Sequence, residues 1–323
     1  MSAQAVVATH GHCFDGMASA VLFTHLVRAV DPASANATWK YKGQTYDAGK
    51  NGVDPTIFSG ASTTAILDFR YTATDALTWY FDHHASAFPT PLERAHFEKL
   101  AAREHGFYDA KGTSCCKLVA DVARDHFHVD VSAFDELVKW ADMIDAAAFP
   151  SPELAVSRTA PEMKLLAVVE RYGDDALLGD LVARLLQRPL HEVATSADVA
   201  ARYPAIDTLH RDSVDRIRAR EKKMGDVVFV DLLDAPTEAV TKFVTYADFP
   251  SVPYSVIASR SKTHCKISVG YNPWSGVARK HDINVLCEKR GGGGHAVVGA
   301  IALPLDMDKA RAVALEIVGE LNN

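Results

Sequence analysis

The triplet Asp82-His83-His84 follows an aromatic run, Trp79-Tyr80-Phe81, that reads as a buried strand. A carboxylate and two imidazoles at such an end sit where ligands collect in parallel α/β sheets. Adjacent histidines there point to different sides, so one can hold a metal while the other faces a substrate. Two further apolar segments end in the same way: Ala5-Val6-Val7-Ala8 runs into Thr9-His10-Gly11-His12-Cys13-Phe14-Asp15-Gly16, and Ala65-Ile66-Leu67 into Asp68. An aspartate after a strand is ordinarily a cap for the next helix, yet independent capping explains three such ends poorly. Together with Asp142, the groups His10, Asp15, Asp68, Asp82, His83 and His84 exceed what one structural zinc needs. Mixed oxygen and nitrogen ligands suit two ions such as manganese or magnesium, roughly 3.5–4 Å apart and bridged by one carboxylate. Such a pair clamps a phosphoryl group and acidifies a shared water, so phosphoester hydrolysis is the expected chemistry.

The elements that must position these groups follow from spacing. Apolar residues at helical intervals from Met17 to Val30 place the His10 to Asp15 segment on a strand-to-helix turn. A polar connection, Gly43 to Gly60, precedes the Asp68 strand. Gly112-Thr113-Ser114-Cys115-Cys116 opens a helix to about Asp125, with Thr113 or Ser114 as its cap and the two cysteines as small core residues. A helix from Ala133 to Ile144 carries Asp142, and Asp145 follows three residues later on the same face if the helix persists. Helices continue over 161–172 and 174–186, and a charged segment, Asp198 to Lys223, reads as a solvated linking helix. After Gly225 the pattern restarts: strand Val227 to Leu233, helix Thr237 to Ala247, strands Tyr254 to Ser259 and Lys266 to Tyr271, helix Asp282 to Lys289, strand Val297 to Leu303 and helix Asp306 to Leu321. The fold class is thus α/β: a parallel-sheet domain over 1–190, a helical linker over 191–225 and a smaller α/β domain over 226–323.

Composition sets limits on partners. The chain has 323 residues, 34 basic against 41 acidic, for a net charge of −7. Long duplex nucleic acid is therefore not an expected partner, whereas a small phosphorylated substrate held by metal is compatible. Five dispersed cysteines without a CxxC pair fit a reducing, cytoplasmic compartment. No leader sequence is evident, and no apolar run approaches the roughly 20 residues that span a bilayer.

The second domain offers its own anion-binding candidates. Gly291-Gly292-Gly293-Gly294-His295 lies between a helix and a strand, where glycine backbone can approach an anion and His295 can add a donor. Arg260-Ser261-Lys262, closing the strand Tyr254 to Ser259, supplies further donors, with Lys262 read as a solvated turn residue.

Taken together these motifs resemble the DHH phosphoesterase superfamily, in the branch with a DHH-associated C-terminal domain. Asp82-His83-His84 matches its namesake triplet, Asp68 its second motif and Asp142 its fourth; Ser259-Arg260-Ser261 and Gly291 to His295 are similar to its substrate-binding motifs. The resemblance covers almost the whole chain. It implies that His10 and Asp68 hold a first metal, and that Asp15, Asp68, His83 and Asp142 hold a second, with Asp68 bridging. His84 would contact the scissile phosphate or its leaving oxygen, and Asp82 would orient the imidazoles. Arg260, Ser261, Gly292, Gly293, Gly294 and His295 would bind substrate from the other side of an interdomain cleft.

The first motif departs from the family pattern, because Cys13 stands where an aspartate is usual. A thiolate favours zinc, iron or cobalt over manganese or magnesium. Either Cys13 or His12 completes a two-metal site, or a single metal works at the second site. The resemblance implies a metal-dependent phosphoesterase with two manganese ions, cleaving short oligoribonucleotides or dinucleotides by metal-activated water. Two other readings are a phosphomonoesterase on 3′-phosphoadenosine phosphate or another small metabolite, and a nucleotide sensor with lapsed catalysis. A homodimer is compatible with the branch.

Overall fold

The computed structural model describes residues 3–46, 52–237 and 240–323. The chain forms two compact units, Met1–Ala148 with Ala160–Tyr203, and Phe149–Thr159 with Pro204–Asn323.

The first unit opens with β1 (Gln4–His10), α1 (Phe14–Val30), the short α2 (Pro32–Ala35) and β2 (Thr38–Gln44). Next come β3 (Thr63–Leu67), β4 (Trp79–Asp82), α3 (Pro91–Ala101), β5 (Gly106–Tyr108), α4 (Cys115–Asp125) and α5 (Asp135–Asp145). After α6 (Pro152–Ser157), which belongs to the second unit, α7 (Pro161–Tyr172), α8 (Asp175–Leu185), α9 (Leu190–Ala194) and α10 (Ala197–Arg218) follow.

The five strands make one parallel sheet, ordered β2-β1-β3-β4-β5. Every residue of β3 and β4 is buried, as befits strands covered on both faces. On one face Val6, Ala8, Ile66 and Tyr80 pack with Phe58, Phe97 and Leu100. On the other, Phe23 of α1 meets Trp79 and Phe81 edge-on at 5.9 and 6.1 Å. Helix α1 is buried almost all round, and each large apolar side chain so placed stabilises the unit by about 1.5–3 kcal/mol. Strand register then creates the site. Thr9 aligns with Leu67 and Leu67 with Phe81, so the next residues, His10, Asp68 and Asp82, stand side by side at the carboxyl edge.

Several elements differ from the sequence expectation. Helix α1 starts at Phe14, not Met17, which puts Asp15 in its first turn. Helix α5 extends to Asp145. Strands β2 and β5 were not anticipated, since their half-exposed residues carry no continuous apolar run. Within the Gly43 to Gly60 connection, residues 47–51 lie outside the described residues.

The second unit contains β6 (Glu221–Met224), β7 (Val227–Leu232), α11 (Phe243–Asp248), β8 (Tyr254–Arg260) and β9 (His264–Tyr271). It ends with α12 (Ile283–Glu288), β10 (Gly293–His295), β11 (Val298–Pro304) and α13 (Met307–Leu321). Its sheet is mixed, β10-β11-β9-β8-β7-β6, with β7 and β8 the parallel pair. Val256, Ile267, Ile301 and Ile317 form the core on one face; Ile217, Val228, Val230 and Ile257 form it on the other. The expected helix from Thr237 is confined to α11; positions 238 and 239 lie outside the described residues.

The charged segment forms α10 as far as Arg218, with Pro204 inside it, and the division between units falls at that proline. Its arginines are engaged as well as solvated. Arg216 donates to Leu232 O, Ala235 O and Asp234, Arg220 to Asp234, and Arg218 to Asp248. Among the described residues no helix is long and apolar enough to cross a membrane.

Candidate metal centre

The centre lies at the carboxyl edge of the parallel sheet in the first unit. Asp68 follows β3 with its backbone at φ 54°, a left-handed conformation that costs a non-glycine residue about 1–3 kcal/mol and that surrounding structure must hold. Its N–H donates to Phe81 O at 2.9 Å. From that position one carboxylate oxygen, Oδ2, lies 3.6 Å from both His10 Nδ1 and Cys13 Sγ. The other, Oδ1, lies 3.5 Å from His83 Nε2. Asp68 is thus shared by two ligand groups, His10–Cys13–Asp68 and a set around His83.

The set around His83 draws on two helices. Nε2 of His83 is 3.2 Å from Asp145 Oδ2 and 3.9 Å from Asp15 Oδ2. Asp15, in the first turn of α1, also accepts from the N–H groups of Cys115 and Cys116 at 2.7 and 2.9 Å. The start of α4 therefore holds this buried carboxylate, a favourable place for an anion. Gly16 lets α1 approach β1: a Cβ there would lie 2.4 Å from His10 O. Nδ1 of His83 lies 3.1 Å from Gly112 O; as the donor in that bond it leaves Nε2 aimed at the carboxylates, the tautomer of a metal-ligating histidine.

His84 is oriented differently. Asp82, fully buried, accepts from the N–H groups of His83 and His84 and from Tyr80 Oη at 2.8, 3.2 and 2.9 Å, and its Oδ1 is 2.8 Å from His84 Nδ1. That bond occupies Nδ1 and turns the other edge of a partly exposed ring outward.

The titrating groups of this cluster shift one another strongly. Burial pushes the Asp15 carboxyl well above its ordinary range, reinforced by Asp68 and Asp145. Burial and the Asp68 charge raise Asp145 to about 6. Burial raises Asp68 also, but the contacts from His10 and His83 outweigh it and hold the carboxyl at about 2. Burial disfavours the His83 imidazolium, yet Asp68, Asp145 and Asp15 together raise it to about 10. The Cys13 thiol is pushed well up by burial and by Asp68 and Asp15. A proton on His83 thus stands among three carboxylates where a divalent ion would serve better. Two buried atoms, Asp68 Oδ1 and His83 Nε2, have no hydrogen-bond partner and face each other. Buried polar atoms are rarely left so, and a bound metal would satisfy both.

The structure brings together His10, Cys13, Asp15, Asp68, His83 and His84, with Asp82 behind them, all within the first unit. His12 stands apart: at φ 55° its Nδ1 lies 3.2 Å from Glu170 O. Asp142 is a correction to the sequence expectation. Its Oδ1 accepts from Thr113 and from Ser114 (3.0 Å), beside the start of α4, and Asp145, one turn on, reaches His83 instead. The anchoring Gly112 carbonyl and Tyr80 hydroxyl were not foreseen; a backbone oxygen leaves no sequence signal.

In the second unit the expected anion groups are dispersed. Arg260 donates to Leu233 O and Asp234 O at 2.7 and 3.1 Å, and Ser261 closes the β8–β9 turn with His264. The N–H groups of Gly291 and Gly292 close α12 on Glu288 O and Cys287 O. Gly293, Gly294 and His295 form the edge strand β10. A Cβ at Gly292 would meet Ala300 O at 2.3 Å, whereas Gly293 is open and His295 exposed. Register places Gly293 opposite Ala300, Ser268 and Ile257 in turn, three strands and three residues from Arg260. At about 4.8 Å per strand and 3.3 Å per residue that is roughly 17 Å, so the two motifs do not share one anion pocket.

No family model matches the chain, and no curated protein matches it. Solved structures do. A pGpG-specific phosphodiesterase, PggH, from Vibrio cholerae is 18% identical, with a TM-score of 0.68 over 99% of each chain. A DHH domain described as belonging to a member of a family of ribosomal proteins is 12% identical, with a TM-score of 0.57 over 100% of this chain and 88% of that one. RecJ from Thermus thermophilus in complex with Mn2+ is 9% identical, at 0.57, over 99% of this chain and 52% of its own. At these identities the likeness is one of fold: the chain has the α/β fold of the DHH-domain proteins.

Proposed function

We propose that the chain is a divalent-metal-dependent phosphoesterase acting on short oligoribonucleotides or dinucleotides. The observation that carries this is the pair of buried atoms without a formed hydrogen bond, Asp68 Oδ1 and His83 Nε2, inside a cluster of three carboxylates, three imidazoles and a thiol. His10, Cys13 and Asp68 are the residues to hold one ion, and Asp15, Asp68, His83 and Asp145 a second. Bound divalent ions supply Lewis acidity, offsetting charge on a phosphoryl group and lowering the pKa of water. The remaining work falls to the chain. Asp82 fixes the His84 ring, and burial, which would lower that imidazolium, is outweighed by the Asp82 bond and charge, so His84 is shifted upward. With Nδ1 engaged by Asp82, Nε2 is the ring atom left to meet a phosphate or leaving oxygen. Of the second-unit groups expected to bind substrate, Gly293 and His295 are the open positions.

The fold neighbours support this reading. One is described as a pGpG-specific phosphodiesterase and another was solved with Mn2+, so manganese is the proposed ion, with zinc, iron or cobalt favoured to the extent that the Cys13 thiolate ligates. A net charge of −7 suits short substrates better than long polyanions. The test is hydrolysis of pGpG, 3′-phosphoadenosine phosphate and bis-p-nitrophenyl phosphate by chelator-treated protein, with and without added manganese. Metal-dependent cleavage of the diesters is expected. Phosphate release from the monoester alone would replace the proposal with a phosphatase, and no turnover under any divalent metal would end it.

A further inference from the structure

Two residues after Asp68, the half-buried Arg70 makes no ion pair and no hydrogen bond among the described residues. Its guanidinium carbon rests 4.9 Å from the centre of the Tyr46 ring. Tyr46 in turn stacks on Phe69 at 4.4 Å and 26°, and meets the His10 ring edge-on at 5.2 Å. His10 is itself 3.6 Å from Asp68. An unbroken run of contacts therefore links the Asp68 carboxylate to an aromatic ring and a cation that, among the described residues, has no ion pair. Tyr46 nonetheless leaves 41% of its surface exposed.

A structural arginine beside a carboxylate-rich site would ordinarily be drawn into an ion pair, and three of those carboxylates, Asp15, Asp68 and Asp82, are buried nearby. Arg70 pairs with none of them. Guanidinium groups match phosphate oxygens through a planar fork of donors; where the Arg70 guanidinium leaves the Tyr46 ring for a phosphate, the ring face it uncovers takes a nucleobase by stacking. Both groups adjoin the His10 side of Asp68, where a phosphoester next to Asp68 would carry its nucleoside. Neither belongs to the residues that hold metal. We propose that Arg70 binds the phosphate of a nucleotide phosphoester and that Tyr46 stacks the adjacent base, making the first unit selective for nucleotides over other phosphoesters. The proposal rests on the phosphoesterase reading of the same centre.

The test separates base from phosphate and binding from turnover. Manganese-loaded wild type and the variants Tyr46→Leu, Tyr46→Phe, Arg70→Met and Arg70→Lys are compared, after thermal unfolding shows them folded. Two probes are titrated calorimetrically: a diguanylate phosphonate, in which CH2 replaces the leaving oxygen, and the same backbone without bases. Hydrolysis of the ordinary diguanylate is measured alongside. Tyr46→Leu is expected to weaken diguanylate binding about 5- to 150-fold, the range for loss of one base stack, with binding of the abasic probe unchanged and with Tyr46→Phe restoring affinity. Arg70→Met is expected to weaken both probes about tenfold or more, as for loss of a charged hydrogen bond, with Arg70→Lys recovering part of it. Wild-type hydrolysis together with wild-type binding by Tyr46→Leu or Arg70→Met overturns the proposal and leaves the phosphoesterase reading standing. The expected binding pattern without hydrolysis supports the pair and removes the hydrolytic reading instead. Should Tyr46→Leu fail to fold, Tyr46→Met replaces it, and the Arg70 variants test the phosphate contact independently.

Discussion

In the metal-free protein the His83 imidazolium is held at about 10 by Asp68, Asp145 and Asp15 against the opposing effect of burial, so a metal must displace its proton. A ligating imidazole is neutral, which makes affinity pH-dependent and binding proton-releasing. At about pH 7.5, roughly two and a half units below that value, removing the proton costs about 3–4 kcal/mol. Apparent manganese affinity at the His83 site should therefore climb roughly tenfold per pH unit from about pH 6.5 upward, levelling near 10. Calorimetric titration of chelator-treated protein in buffers of different ionisation heat measures this directly, with at least about one proton released per ion bound. Asp15, whose carboxyl is also raised by burial and by Asp68 and Asp145, adds to the release. His83→Asn should bind metal more weakly and with a shallower pH dependence. Manganese affinity independent of pH across this range, with no proton released by wild type, would refute the placement of His83 among the ligands.

The same electrostatics govern stability without metal. The folded value of His83 lies above its unfolded one, so its stabilisation is complete below about pH 6.5 and is lost as pH rises toward 10; thermal unfolding of chelated protein should show that decline, and added manganese should abolish it. Asp68, held at about 2, contributes the opposite way, present above about pH 4 and lost on acidification. Asp145→Asn should weaken metal binding about tenfold or more, whereas Asp142→Ala should leave it intact and destabilise the fold by about 1–3 kcal/mol through Thr113 and Ser114; calorimetry and denaturant unfolding distinguish them. Gly16→Ala forces a Cβ to 2.4 Å from His10 O, so a loss of about 1–3 kcal/mol in unfolding free energy is expected, with weaker metal binding as His10 moves. Cys13→Ser should lower affinity for zinc and cobalt more than for manganese, read from competition titrations; equal losses would place the thiol outside the ligand set.

Much of this centre was legible because parallel strands end together. Apolar runs before His10, Asp68 and Asp82 marked three strands, and matching register made their next residues neighbours. The choice between Asp142 and Asp145 was not legible, because both lie on one helical face three residues apart; the hydroxyls of Thr113 and Ser114 decided it. The choice between His12 and Cys13 turned on a left-handed backbone at His12 that sends its ring to Glu170 O. The glycine run was placed only between a helix and a strand, because four glycines carry no strand pattern, yet β11 supplies the pairing that makes three of its residues an edge strand.

The sequence by itself determined which groups are available and at which ends of which strands, since alternation, apolar runs and capping act over a few residues. Only the tertiary structure decided which of them meet: Asp145 rather than Asp142 at His83, Cys13 rather than His12 at Asp68, and Arg70 with Tyr46 beside His10. Those choices depend on contacts between segments distant in the chain, whose competing hydrogen bonds and burial are set only once strands and helices have packed.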